Sequence, residues 1–257
     1  MIEVVPYACP QCKQPVQFNR TYYFYACEPC RRRYPVVCGI PDFRLHPDRY
    51  LSIEDDRDKG SLFWEQSGRM SFAELLDLYY AITPEIPGKL AAKFKAHALA
   101  EVEIAEATLD ELNARPVGAL LDVGCSTGGL VVAAARGGFP VVGVDAALRW
   151  LVIGKQRLKE ARVETAMVCA NAEHLPFSAD TFAALTAVDL LEHVVYPVVV
   201  LGECRRVAAP GALCYFAANN RHSLVSEPHT GVWGVGWLPR RFQAAYVRLW
   251  SGRAYRN

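Results

Sequence analysis

What this sequence lacks narrows it before any motif is read. No basic stretch leads into an apolar one at its start, because Pro6 and Cys9 interrupt the segment at once, so no export leader is expected. No uninterrupted apolar run is long enough to cross a bilayer; the best, Val188 to Leu201, carries Asp189, Glu192 and His193. Stable membrane insertion is therefore not expected. Charge of one sign is missing too: 28 Lys and Arg against 27 Asp and Glu leave a net +1, too little to draw the whole molecule onto nucleic acid. The nine cysteines are an odd number, mostly scattered through apolar stretches, which argues against a disulfide framework and for a reduced, cytoplasmic protein.

What is present divides the chain. Its 257 residues, 52% apolar, suffice for one sizeable packed domain with a small appendage. Four segments are expected: 1–46, a cysteine module; 47–116, a linker and helical cover; 117–218, a nucleotide-binding domain; and 219–257, an insert followed by a basic helix from Pro239 to Trp250. In the first, Cys9-Pro-Gln-Cys12 and Cys27-Glu-Pro-Cys30 are two C-x-x-C pairs with fourteen residues between them. Thiolates at that spacing hold two corners of a tetrahedral zinc, and the two pairs together close the site, leaving no position for catalysis. Strands are expected at 16–18 and 22–25. Cys38 is expected to pack, and Arg31 to Arg33 form a solvated turn or a phosphate contact. A hairpin this small needs the metal for stability. Beyond it, the charged stretch Ser52 to Gly60 is expected to be an irregular boundary. A capping box at Ser71 and Glu74 predicts a helix. A longer helix from Lys89 to Asn113 follows, with Leu90, Phe94, Leu99, Val102, Ile104 and Leu109 along it and His97 packed against a sheet.

From Val117 onwards strands alternate with helices. Strands are expected at 119–123, 141–144, 165–169, 182–188 and 212–217, with helices from about Gly129, Ala147 and Tyr196 between them. That alternation implies an α/β fold, a Rossmann-like doubly wound parallel sheet, with its ligand crevice at the strands' C-terminal ends. The glycines after the first strand, Gly124, Gly128 and Gly129, do not match the dinucleotide-dehydrogenase pattern G-x-G-x-x-G. Asp145, ending the second strand, suits a ribose in either case.

Five segments in order decide between the cofactors. They are Leu121-Asp122-Val-Gly124-Cys-Ser-Thr-Gly128, Val144-Asp145, Asn171-Ala172-Glu173-His174-Leu175-Pro176-Phe177, Asp180 to His193, and Arg206 to Leu213. Together they resemble the class I S-adenosylmethionine-dependent methyltransferases. The resemblance implies S-adenosyl-L-methionine as cofactor and assigns its binding to Asp122, Gly124, Gly128, Asp145, Ala146, Asn171, Ala172 and Asp189. Asp122 would orient the ammonium, Asp145 the ribose hydroxyls, and Asn171 with Ala172 the adenine. The Cys9, Cys12, Cys27 and Cys30 module likewise resembles the zinc ribbon that precedes some RNA guanine methyltransferases. The family's sheet ends in a sixth and an antiparallel seventh strand, for which the segment after Ala218 has no evident counterpart.

Methyl transfer from a sulfonium is an in-line displacement, and a base is needed only if the acceptor must lose a proton. Candidate bases are His193, His222 and His229. The Asn/Asp-Pro-Pro-aromatic signature of adenine N6 methylation is absent, since Val188-Asp189-Leu-Leu stands there. The segment Asn219 to Arg240 resembles that of bacterial enzymes acting on glycans or lipid-linked sugars. The expected acceptor is therefore a small molecule, glycan or lipid-linked compound. Two alternatives stand beside it: an RNA base methyltransferase, and a cofactor-binding scaffold without catalysis. From Pro228 onwards there are five arginines and no acid, either a solvated surface or a site for an anionic partner.

Overall fold

The computed structural model describes residues 4–84, 86–218, 220 and 231–252. Strands β1 (Gln17–Asn19), β2 (Phe24–Cys27), β3 (Arg32–Val37) and β4 (Ile40–Pro41) form a four-stranded antiparallel sheet in sequence order. This is the cysteine module, and its exit does not end in a loose linker. Asp42 bridges in parallel to Cys169, and the Phe43 N–H donates to the Cys169 carbonyl at 2.7 Å.

Ser52 to Gly60, expected to be irregular, is instead helical. Helix α1 (Ile53–Gln66) starts there, with the Ser52 hydroxyl accepting from the Asp55 N–H. Glu54, Asp55 and Asp56 fill its first turn, where carboxylates oppose the positive end of the helix dipole. Helix α2 (Phe72–Ala81) carries the capping box of Ser71 and Glu74, as its sequence predicts. Helix α3 (Gly88–Glu111) runs close to its predicted span but buries a different stripe. Ala91, Ala105 and Leu109 are buried, while Leu99, Ile104 and His97 are exposed, so His97 does not pack against the sheet.

The second sheet comprises β5 (Leu120–Val123), β6 (Val141–Asp145), β7 (Ala166–Cys169), β8 (Phe182–Val188) and β9 (Ala208–Ala217). All are parallel, in the order β7-β6-β5-β8-β9, with α4 (Gly129–Arg136), α5 (Leu148–Glu160) and α6 (Pro197–Val207) as crossovers. Strand order reverses at β5, which places the crevice between the C-terminal ends of β5 and β8. Among the described residues the sheet stops at β9, which leaves Leu213 and Phe216 exposed along that edge.

Side chains alternate between two cores, as a pleated sheet buried on both faces requires. Leu120, Val141 and Met167 face helices α1 to α5. Leu121, Val142 and Val168 face the other way, onto α6 and the cysteine module. The β7–β8 connection holds only a 3₁₀ turn, Ala172–His174, so no helix covers that part of the sheet. The cysteine module supplies the cover. Tyr7 meets Phe177 at 6.0 Å between ring centroids and Phe43 at 5.3 Å, and Tyr34 meets Phe43 at 5.1 Å.

Candidate functional site

The crevice is built on a glycine turn. Gly124 (φ 80°) and Gly128 (φ 76°) adopt left-handed backbone that glycine alone enters freely. A Cβ on Gly124 would lie 3.0 Å from Leu190 Cδ1, and one on Gly128 3.0 Å from Met167 Cε. The N–H groups of Gly124 and Cys125 both donate to the Val144 carbonyl, which pins the turn to β6.

Asp145 ends β6 half-buried beside this turn. Its Oδ2 accepts from the Ser126 N–H at 2.9 Å and its Oδ1 from the Ala147 N–H at 2.8 Å. Burial pushes its carboxyl up, and those two donors hold it down. A carboxylate has about four acceptor sites, so two remain for hydroxyl donors. Asp122 is more deeply enclosed, with Oδ1 accepting from the Thr186 hydroxyl at 2.8 Å. Burial lifts its carboxyl to about 7, with the nearby charges of Glu101 and Asp145 adding to the lift. Such a group is suited to a cation.

Glu101, on α3, was not singled out by any sequence pattern. It lies against Gly129 so closely that a Cβ there would come 2.4 Å from Glu101 Cγ. Its Oε2 accepts from Arg157 Nη1 at 2.6 Å and from the Thr127 hydroxyl at 3.3 Å. The long helix therefore lays a carboxylate over the first turn of α4.

The adenine-side residues are more occupied than their motif suggests. Asn171 Oδ1 accepts from the N–H groups of Leu45 (2.9 Å) and His46 (3.3 Å), and its Nδ2 donates to the His46 carbonyl at 3.2 Å. The Asn171 amide thus ties the exit of the cysteine module to the end of β7. Ala172 is buried next to it. The Ala146 carbonyl accepts from Arg44 Nη1 at 3.0 Å. Asp189 follows β8, exposed, at φ 51°, its N–H on the Ala217 carbonyl. His193 is half-buried in the following turn. His222 and His229 lie outside the described residues.

Behind Ala146 sits a buried charge network that sequence reading missed. Asp56 Oδ2 accepts from Arg44 Nη1 (2.6 Å) and the Leu148 N–H (2.8 Å), and Oδ1 from Arg149 Nη1 (2.6 Å) and the Arg149 N–H (3.4 Å). Asp42 pairs with Arg44 and Arg57, each at 2.8 Å, and Asp48 with Arg149 at 2.6 Å. Three carboxylates meet three guanidiniums, so the network is neutral. Burial alone would lower Arg44 and Arg149, but the carboxylates around them hold both above the ordinary arginine value.

The thiols of Cys9, Cys12, Cys27 and Cys30 converge, all within 4.8 Å of one another. Cys9 and Cys30 are 3.9 Å apart and Cys12 and Cys27 3.5 Å. Zinc–sulfur bonds of about 2.3 Å in a tetrahedron require sulfurs about 3.8 Å apart, so the cluster has the dimensions of a Cys₄ zinc site. Tyr34 Oη lies 3.1 Å from Cys9 Sγ, placed as an outer partner of that thiol. Cys38 stands outside the cluster, 4.0 Å from the Ser61 hydroxyl.

Comparison with known proteins places the nucleotide domain. Residues 121–216 match the methyltransferase domain family. A ubiquinone biosynthesis O-methyltransferase of Hahella chejuensis is 36% identical over 115 residues, 44% of this chain and 48% of that protein. One from Cereibacter sphaeroides is 31% identical over 123 residues, 47% of this chain and 50% of that protein. The chain thus spans about half the length of the curated relatives it matches. Among solved structures, phosphoethanolamine N-methyltransferase 2 of Haemonchus contortus with S-adenosyl-L-methionine overlaps 42% of this chain and 26% of that one, at 24% identity and a TM-score of 0.37. That overlap is too loose to carry weight. The family match spans the glycine turn, Asp122, Asp145 and Asn171 together, so over residues 121–216 the chain is similar to the methyltransferase domain.

Proposed function

We propose that this chain transfers a methyl group from S-adenosyl-L-methionine to a hydroxyl of a small-molecule acceptor, with one structural zinc in its N-terminal ribbon. The observation that carries the reading is the 36% identity to an O-methyltransferase over 115 residues, beside the methyltransferase-domain match at residues 121–216, which include the crevice. When bound, the cofactor supplies a methyl already activated on a sulfonium. The chain's own residues bind and orient. The two remaining acceptor sites of Asp145 suit the ribose hydroxyls, and Asp122 suits the ammonium. The Gly124 and Gly128 backbone admits the methionine portion, and the Ala172 N–H with Asn171 serves the adenine edge. Ala146 and Asp189 complete the rim. A hydroxyl acceptor must lose its proton as it attacks, which is the task of His193, His222 or His229. The zinc site has no open position and holds shape only.

A second reading, methylation of RNA, has one observation behind it. On the outer face of the ribbon, Tyr22 is 75% exposed and stacks on Phe24, and the Arg33 guanidinium lies 5.0 Å from the Phe24 ring centroid. Exposed rings beside arginines are what single-stranded RNA stacks on. One experiment separates the readings: the protein with methyl-labelled cofactor and separated RNA, protein, lipid and small-molecule fractions. Label in phenolic small molecules or extractable lipids is the expected result. Label in RNA would move the assignment to the second reading. Cofactor binding with no labelled fraction would leave a protein that binds without transfer.

A further inference from the structure

The last described helix, α7 (Arg240–Ser251), stands outside both cores of the nucleotide domain. It packs through Val247 into a small cluster of its own with Val232 and Val235. Its sequence sorts by face. Gln243 and Val247, four apart, are buried, and Gln243 Nε2 donates to the Leu238 carbonyl at 3.0 Å. Phe242 and Leu249, seven apart, share a different line and are 50% and 82% exposed; Trp250 beside them is 70% exposed. Arg241 and Arg248, also seven apart, form a parallel line about 100° round the helix from that apolar ridge.

Single exposed apolar residues are ordinary, but three large ones on one arc are not. Beside them the charge is all of one sign. Residues 231–252 contain three arginines and no acid, and none occurs from Pro228 to the last residue. Among the described residues, neither Arg241 nor Arg248 takes part in an ion pair. The Arg241 guanidinium instead lies 4.8 Å from the Phe242 ring centroid.

An apolar ridge flanked by a cationic one is the geometry of a helix lying in a membrane interface. Rings and leucine sink among the acyl chains while guanidiniums reach the headgroup phosphates. Among the described residues no helix is long and apolar enough to cross a membrane, so α7 would lie on the bilayer and not through it. Charge selects the occupant. A second copy of this unit offers only more arginines, whereas an anionic lipid surface answers them. We propose that α7 docks this protein on an anionic lipid surface through Phe242, Leu249 and Trp250, with Arg241 and Arg248 on the headgroups. This goes beyond the methyl-transfer reading and does not depend on it, because docking needs neither cofactor nor acceptor.

The test is flotation of the full chain with vesicles of phosphatidylcholine alone and of phosphatidylcholine with phosphatidylglycerol. Flotation with the anionic vesicles only, weakened by salt, is expected. Phe242→Ser with Leu249→Ser should lower the partition coefficient at least about tenfold. Arg241→Gln and Arg248→Gln should each lower it about fivefold and flatten the salt dependence. Brominated lipids, used with the unaltered protein, should quench tryptophan fluorescence, a readout that needs no variant to fold. Equal binding to neutral vesicles, no flotation, or flotation untouched by the Phe242 and Leu249 changes would overturn the proposal. So would sedimentation showing that those two changes dissolve a dimer, which would mean that a second copy covers this face.

Discussion

Replacing Asp56 by alanine is the sharpest test of how the fold supports the cofactor crevice. Its carboxylate receives four donors, two guanidiniums and two backbone N–H groups at the start of α5, and its side chain is fully enclosed. Removal leaves three guanidiniums facing two carboxylates, Arg44 keeping only Asp42 and Arg149 only Asp48, and strips α5 of its cap. Breaking one member of a buried ion pair costs about 3–5 kcal/mol, and losing a helix cap about 1 kcal/mol. The two losses share the same atoms and do not simply add, so about 4 kcal/mol is expected. Urea unfolding of the zinc-loaded protein measures this as a fall in midpoint at unchanged slope. Cofactor affinity should fall as well, because Arg44 also holds the Ala146 carbonyl, next to Asp145. Asp56→Asn should recover part of the stability, since one oxygen still faces donors. A loss below about 1 kcal/mol, the size of a surface change, would refute the reasoning.

Four other outcomes are expected. Asp145→Ala should weaken cofactor binding by about 1.5 kcal/mol, read by calorimetry, as a charged acceptor is lost from a half-buried site. Metal analysis should find about one zinc per chain and none in Cys27→Ser, with thermal unfolding at lower temperature because the ribbon covers one face of the sheet. Asp122, lifted to about 7 by burial, should make cofactor affinity rise with pH towards that value and level off above it, since a cationic ligand favours the carboxylate. Stability of the cofactor-free protein has the opposite sign. A carboxyl whose folded value lies above its unfolded one costs stability as pH rises through that window, and Asp122→Asn should flatten both profiles. Asn171→Ala should cost about 1–3 kcal/mol of stability, because two buried N–H groups lose their acceptor. If affinity falls further than stability, Asn171 also serves the adenine.

The parts legible in the sequence were those written in short-range pattern. The strands from Leu120 to Val188 follow alternation and apolar runs, and the thiol cluster follows the spacing of two cysteine pairs. The parts that were not legible depend on partners far along the chain. Asp56 reads as one more charge in a polar stretch because three of its four donors lie some ninety residues later, at Leu148 and Arg149. Hydropathy likewise assigned Leu99 and Ile104 to a buried face of α3. The helix instead packs through Ala91, Ala105 and Leu109, and small residues allow a close approach that no apolar moment reports. Glu101 gave no signal at all, since its placement depends on the missing side chain of Gly129. Asn171 fits a family motif, yet its amide serves a segment that the motif does not include.

The covering of the sheet by the ribbon has a consequence for how the protein is made. Tyr7 and Phe43 find their partners at Phe177 and Cys169, more than a hundred residues downstream. During synthesis the ribbon emerges before the sheet, yet its aromatic face stays wet until β7 and the 3₁₀ turn after it have been translated. Those long-range pairings raise the contact order and slow the last step of assembly. A chain starved of zinc at that stage would expose both the aromatic face of the ribbon and the bare face of the sheet. With zinc in the ribbon as proposed, metal supply would act on the yield of folded protein without the ion taking part in the chemistry.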